Sequence, residues 1–442
     1  MARSSSQQRW LGITLILALA ALAVFRSHLG TRLDGYTVDE PWHIVAGASY
    51  LRTGDFRLNP EHPPLVKLVA GAAMPDDFSL RPLAPLVEKT QERELVEETL
   101  YFDNDSAAAQ QDARRGLWLF HALLLVLLGG VLWQAFGLAW SLGTLAFLAL
   151  EPSIGAHLPV VMTDLPLALC FGLAVGCAGL LASRWQWRWA LACGVAVGLC
   201  LGAKHSALAG IAGIAGVLAV ATFFGLGEQR RVAFARRWGQ LGIAALLAWV
   251  VLWGQYGFRF HAGPDGSDAF NRPMPDKIAD LNIPHWREGI AFADRHHLLP
   301  RAYLWGLADT VRAGIEGRGQ SSHWLWGVKY KGKAPWFTWP SFVLAKVPLA
   351  LTALSLLGLL LLPTTRLEAP ARWTLAVLLG GSAAHLLALM GSQGTYGGIR
   401  HALPLVVALA ILAGAPRWLP PGNGAHASPA WRWRCCSSRH SA

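Results

Sequence analysis

Apolar runs of about 16 to 23 residues recur along the whole chain, each long enough for a bilayer's hydrocarbon core of about 30 Å. This recurrence constrains the fold more than any other feature. A backbone in lipid must satisfy its own polar groups, so it crosses as a helix or a closed barrel, and unbroken runs of this length read as helices. Composition agrees. The 442 residues are 53% hydrophobic and 15% charged, with 21 Trp, whereas a soluble enzyme carries about a quarter charged residues. The sequence predicts an all-α polytopic membrane protein.

The net charge of +11 does not indicate nucleic acid, because the basic residues cluster at short turns between apolar runs, as the positive-inside rule expects. Cys170, Cys177, Cys193 and Cys200 lie inside apolar runs and read as small buried hydrophobes. Cys435 and Cys436 are adjacent near the C-terminus, and the six cysteines show no zinc-type spacing with histidines. The segment Arg3 to Phe25 reads as an uncleaved first transmembrane helix rather than a signal peptide.

About ten spans are predicted, at 10–26, 117–134, 137–150, 165–183, 189–203, 207–226, 239–258, 340–362, 373–391 and 401–416. They form a single domain over 1–416, with two large outer loops at 27–116 and 259–339 and an unstructured cytoplasmic tail at 417–442. The second loop is expected to hold short amphipathic helices lying on the bilayer. With the N-terminus inside, the basic turns at 184–188, 228–237 and 366–372 share the cytoplasmic face. The segments carrying acids and histidines (34–67, 151–164, 204–205, 259–339 and 392–401) then share the other face. One outward-facing site built from several loops is the expectation.

The densest of these segments is DGYTVDEPWHIVAGASYLRTGDFRLNPEHPPLVK, Asp34 to Lys67. Its prolines fix φ and hold short pieces at set angles. Asp39 is either a helix cap or a general base acting on a hydroxyl. Neighbours on a helix diverge by about 100°, so Asp39 and Glu40 cannot share one role. His43 follows on the same turn. Glu61, His62 and Lys67 form a stiff element with Pro63 and Pro64, Lys67 either facing the bundle or snorkelling to the headgroups.

Asp164 opens the fourth span, as a cap or as one of the costly ionisable groups that mark function. Glu151, nearby, is read as a cap. Lys204–His205 and Arg400–His401 place cations at the outer edge, suited either to ordinary lipid phosphates or to an anionic lipid-phosphate ligand. Lys346 lies inside the eighth apolar run. His157, His205 and His401 could ligate a cation, but their spacing specifies none.

Taken in order, DE-x-x-H, HPPL-x-K, Thr163–Asp164, Gly202 to His205, WFTWPSFVLAKVPL and Gly398 to Pro404 resemble glycosyltransferase family 39, the protein O-mannosyltransferases and their bacterial relatives that depend on phospholipid carriers. The resemblance covers about residues 10 to 416. It implies a GT-C type bundle and a polyprenyl-phosphate sugar as donor. The acceptor would be a hydroxyl on a protein, lipid or glycan, and the active site of this multi-pass protein would face the periplasm from the bacterial inner membrane. It makes Asp39 the catalytic base, with inversion, supported by Glu40 and His43. His62 and Lys67 would shape the donor-side wall, Asp164 would line the cavity, and Arg400 would meet the leaving phosphate. Glu61, Lys204, His205, Lys346 and His401 complete the candidate binding set. No cofactor is specified, and a divalent cation stays open. The 259–339 segment is too short for the β-rich domain of eukaryotic O-mannosyltransferases, which counts against a protein acceptor. A transporter or flippase, or a non-catalytic binder of lipid-linked sugar, is the alternative. Transporters tend to show internal repeats, and none is apparent here.

Overall fold

The computed structural model describes residues 5–225, 227, 230–317, 322–362, 367–393 and 398–415. The predicted tail, the turn at Thr364–Arg366 and the paired cysteines of the tail lie outside them. The first apolar run is α1 (Ser5–Thr31). The polar segment after it holds α2 (Glu40–Arg52), α3 (Leu65–Ala72) and α4 (Lys89–Tyr101). It ends at α5 (Ser106–Phe136). Then come α6 (Leu138–Leu150), the short α7 (Pro152–His157), α8 (Asp164–Arg184), α9 (Trp187–Ala203), α10 (Ala207–Ala221) and α11 (Arg230–Gln255). The second polar segment contributes α12 (Met274–Ala279), α13 (Pro284–Arg295), α14 (Arg301–Thr310), a π-helical turn at Val311–Glu316, and a hairpin of β1 (Ser322–Leu325) and β2 (Val328–Lys331). The chain closes with α15 (Thr338–Lys346), α16 (Leu349–Leu361), α17 (Ala369–Gly391), a 3₁₀ turn at Gly398–Ala402 and α18 (Leu403–Ala413).

Each of the ten predicted runs has a helical counterpart, but not each is a full span. Among the described residues, α1, α5, α8, α11 and α17 are long and apolar enough to cross a membrane. The helices α6, α9 and α10 and the stretch Gly398–Ala413 are apolar but shorter. At 1.5 Å per residue the 13 residues of α6 reach about 20 Å, short of the hydrocarbon core. The eighth run is not continuous. α15 and α16 meet at 118°, because Pro348 supplies no N–H and Val347 before it is held extended at ψ 136°. α5 starts eleven residues before the predicted second span, which lifts its first turns out of the apolar layer and adds Arg114 to the end of the bundle that carries α2.

α8 is the axle of the bundle, with its apolar window wholly enclosed by protein. It packs against α5, α9, α10, α17 and α18. Glycines make this possible: a Cβ on Gly176 would lie 2.4 Å from Val131 and one on Gly179 2.2 Å from Thr374, the close approach that small residues allow between membrane helices. The two polar segments pack against each other. They share a second apolar core, in which Ile44, Val66 and Leu100 from the first meet Tyr303, Leu304 and Trp305 of α14 from the second. Of the short helices of the second segment, α14 is buried on most sides. Gly306 lets it press against the Pro60 carbonyl, where a Cβ would fall 2.2 Å away.

Within this second core α2 and α3 cross almost backbone to backbone, and a Cβ on Gly47 would sit 1.9 Å from the Lys67 carbonyl oxygen. Gly47→Ala should therefore cost about 1–3 kcal/mol through overpacking. Gly130→Ala, where a Cβ meets nothing within 4 Å, should be neutral or slightly stabilising. Thermal unfolding of the two variants in detergent checks the difference.

Candidate active site

At the end of the bundle where α8 begins, one cavity of about 330 Å³ is lined by residues from five separate segments. Asp39 stands at the start of α2. Glu61 and His62 come from the proline element, Met162 to Asp164 from the start of α8, and Lys204 to Ser206 from the α9–α10 turn. Asp309, Thr310, Ala313 and Gly314 come from the end of α14 and the π-helical turn, and Leu389, Ser392, Arg400 and His401 from the α17–α18 connection. These are the segments whose acids and histidines the topology placed on one face, except that Glu151 and His157 stay away. Glu151 accepts from the Ile154 N–H as the cap of α7, and His157 Nδ1 lies 2.6 Å from the Ser153 carbonyl.

Asp39 occupies the N-cap position of α2 but makes no side-chain capping bond. Its carboxylate is about two-fifths exposed and lies 3.6 Å from an Arg400 amino group. Glu40 is fully buried and does not reach the cavity, so its predicted catalytic role becomes a positioning one. It accepts from Arg114 at 3.1 and 3.0 Å, from the Thr37 N–H at 2.7 Å and from the Val161 N–H at 3.3 Å. Arg114 also donates to the Asp34 and Gly35 carbonyls at 3.0 and 2.9 Å. A buried charge pair needs such satisfaction of every lone pair and proton to be tolerable. Sequence reading missed Arg114 because it was counted as loop.

The proline element is fixed from behind. Asn59 takes a left-handed φ of 51°, a conformation Asn tolerates better than most residues. Lys67 is wholly buried and donates to the Asn59 carbonyl, to the His62 carbonyl at 2.8 Å and to the Tyr50 hydroxyl at 3.1 Å. Lys67 thus holds the loop that presents Glu61 and His62 and is not itself among the residues lining the cavity. His43 is one layer back as well, its ring 5.4 Å from that of His62. Burial, then the neighbouring charges of Lys204 and Lys67, pushes the His62 imidazole well below its ordinary range, and burial does the same for His43.

Around Asp164 the charges interlock. Lys204 donates to Asp164 and lies 2.9 Å from His401 Nδ1. His401 Nδ1 is 3.4 Å, and Arg400 Nε 3.9 Å, from the same carboxylate. Arg400 Nε is shielded yet has no hydrogen-bond partner among the described residues. His205 stacks on Tyr303 at 4.6 Å, with Nε2 3.1 Å from the Tyr303 carbonyl, and burial followed by Lys204 lowers its pKa to about 3. Lys346 is elsewhere, exposed at the end of α15, so the eighth run does not bring its charge to the cavity.

Four carboxylates line the cavity, and three are in short ion pairs: Glu61 with Lys89 at 2.7 Å, Asp309 with Lys277 at 2.5 Å, and Asp164 with Lys204. Asp39 has only the longer 3.6 Å contact with Arg400, and Asp164 keeps one oxygen, Oδ2, without a hydrogen-bond partner among the described residues. Asp309 escaped sequence reading, although an acid inside the apolar run YLWGLADT is a usable signal. No group of three His, Cys, Asp or Glu side chains that could hold a metal ion occurs among the described residues. Replacing Arg114 by Ala should leave the Glu40 charge buried and unpaired and cost about 3–5 kcal/mol. Glu40→Gln with Arg114→Met should recover much of that loss, as a double-mutant cycle of thermal stability would record.

No curated protein sequence matches the chain. Among solved structures, ArnT from Cupriavidus metallidurans bound to undecaprenyl phosphate superposes with a TM-score of 0.54 at 14% identity, covering 95% of this chain and 61% of its own. The Archaeoglobus fulgidus oligosaccharyltransferase, tethered to an acceptor peptide containing the NVT sequon via a disulfide bond, gives 0.53 at 14%, covering 93% of this chain and 50% of its own. This chain thus spans about three-fifths and one-half of their lengths. Likeness at this identity speaks to the fold, the GT-C bundle of a multi-pass membrane protein. The sequence profile of the dolichyl-phosphate-mannose-protein mannosyltransferases matches residues 15–262, more than half of the chain, and the chain belongs to that family.

Proposed function

We propose that this protein is a membrane glycosyltransferase. It moves a sugar, hexosyl or pentosyl, from a polyprenyl-phosphate donor to an acceptor hydroxyl of a protein, lipid or glycan. The observation that carries this reading is the contrast among the cavity's acids. Three are in short ion pairs with lysines, while Asp39 has no lysine partner, is about two-fifths exposed at the cavity wall and lies 3.6 Å from Arg400. A carboxylate so placed suits general-base work, and an arginine with an unused donor suits an anionic leaving group.

In the transfer, an Asp39 oxygen takes the acceptor's hydroxyl proton as the acceptor oxygen bonds to the anomeric carbon. The bond from that carbon to the phosphate oxygen breaks, and its electron pair leaves on the polyprenyl phosphate. Attack opposite the phosphate inverts the anomeric centre. Arg400, with Lys204 behind it, meets the developing charge as a preorganised cationic donor. The undecaprenyl phosphate bound by ArnT supports this choice of ligand class. The cavity lies at the α8 end opposite the basic turn of Arg184 and Arg188. By the positive-inside rule this favours an active site on the periplasmic face of the bacterial inner membrane.

Asp39→Asn should lower transfer from radiolabelled polyprenyl-phosphate sugars by about 10²–10⁴-fold while leaving the protein folded and donor binding intact. Turnover unchanged in Asp39→Asn would remove Asp39 as the base. Donor binding with no transfer by the wild type, across several sugars and acceptor extracts, would favour a flippase or a binder.

A further inference from the structure

The hairpin of β1 and β2 has an unusual surface. Ser322 to Phe337 contains Lys329, Lys331 and Lys333 and no acid. All three lysines are exposed, and Trp324, Trp326 and Trp336 are 68%, 63% and 68% exposed. The register explains how one face collects Trp324, Lys329 and Lys331. Trp324 pairs with Lys329 and Ser322 with Lys331, so these four side chains point to the same side of the ribbon. Leu325, on the other side, is buried. The two-residue turn Trp326–Gly327 has φ values of 51° and 79°, the tight mirror-image geometry that suits strand twist.

The ribbon's place in the chain matters as much as its charge. Trp326 Nε1 donates to Ser341 Oγ at 2.9 Å, which ties the turn to α15. α15 is followed by the 118° break into the apolar α16, so the hairpin is tied to the end of a helix pair apolar enough to lie in a membrane. Tryptophan is favoured at the membrane interface because its ring is apolar and its N–H is not, and lysine reaches from there into the headgroups. Topogenesis does not account for the charge: the positive-inside rule weighs short loops, and this one belongs to a segment of about eighty residues.

We propose that the β1–β2 hairpin is a binding surface for anionic phospholipid headgroups. Its tryptophans enter the interface, and Lys329 and Lys331, with Lys333 beside them, take the phosphates. The partner is the bilayer around the protein, and the proposal is independent of the transfer reaction. Charge complementarity selects this occupant, since a basic, acid-free face beside that helix pair attracts anionic lipid. Through α15 the same unit reaches the cavity: Trp339 donates to the Leu389 carbonyl at 2.7 Å and its ring lies 6.2 Å from that of His401.

The test uses the full chain carrying Val328→Cys, Cys435→Ser and Cys436→Ser, labelled with an environment-sensitive fluorophore. It is placed in nanodiscs of phosphatidylcholine alone or with about a third phosphatidylglycerol, each also made with a headgroup-depth lipid quencher. The expected result is a blue shift and about twofold stronger quenching with phosphatidylglycerol, both reversed by about 1 M salt, which screens exposed charges. The triple change Lys329→Gln, Lys331→Gln, Lys333→Gln should abolish that dependence, with thermal stability unchanged. Identical quenching in the two lipids, or a dependence that survives the triple change, would overturn the proposal.

Discussion

The site hangs on one buried ion pair, Glu40 with Arg114. The glutamate opens α2, and the arginine comes from the part of α5 that rises beyond the apolar layer. Between them they bind the backbone at Asp34, Gly35, Thr37 and Val161. Three stretches far apart in sequence, the connection into the start of α2, the first turns of α5 and the approach to α8, are thereby set against each other. A buried pair of this kind rarely adds net stability over apolar residues of the same shape. What it supplies here is position. With Glu40 turned inward and fully bonded, the preceding residue, Asp39, is turned towards the cavity.

The same division of labour runs through the rest of the site. Lys67 is spent on carbonyls and leaves Glu61 and His62 presented to the cavity. Lys89 and Lys277 neutralise Glu61 and Asp309 from outside it. The interior is left with a short alternation of charge, Asp39, Arg400, Asp164 and Lys204, that is formally neutral when empty. An incoming phosphate would find an arginine donor not yet used, and would compete with carboxylates that sit 3.6 and 3.9 Å from that arginine rather than at bonding distance. The backing shell is built from the core that the two polar segments share, so the charges stand on packed helices rather than on loose loops.

Much of this was legible in the residues. Apolar run length located the helices, and charge parity between successive turns identified the five segments that meet at the cavity. The failures have physical causes. The resemblance puts Lys67 at the donor-side wall and Glu40 beside the base, yet a pattern of residue types cannot tell a charge that meets substrate from one that holds backbone carbonyls and N–H groups. Arg114 was assigned to a loop because the span was drawn where the apolar run begins, whereas α5 starts at an Asp105 cap that accepts from Ala107 and Ala108. Lys346 was placed within a span although Val347–Pro348 carried the signal for a break. Asp309 lies on a helix whose burial depends on a core between two distant segments, and no local periodicity reports that.

The most direct test of the central claim is a cryo-electron microscopy map of the protein with undecaprenyl phosphate. The account predicts phosphate density within hydrogen-bond reach of Arg400, close to Lys204, with the Asp39 carboxylate left facing open space where an acceptor can enter. Phosphate bound instead at the other end of the bundle, in the cleft between Trp185, Arg237 and Arg372, would contradict it.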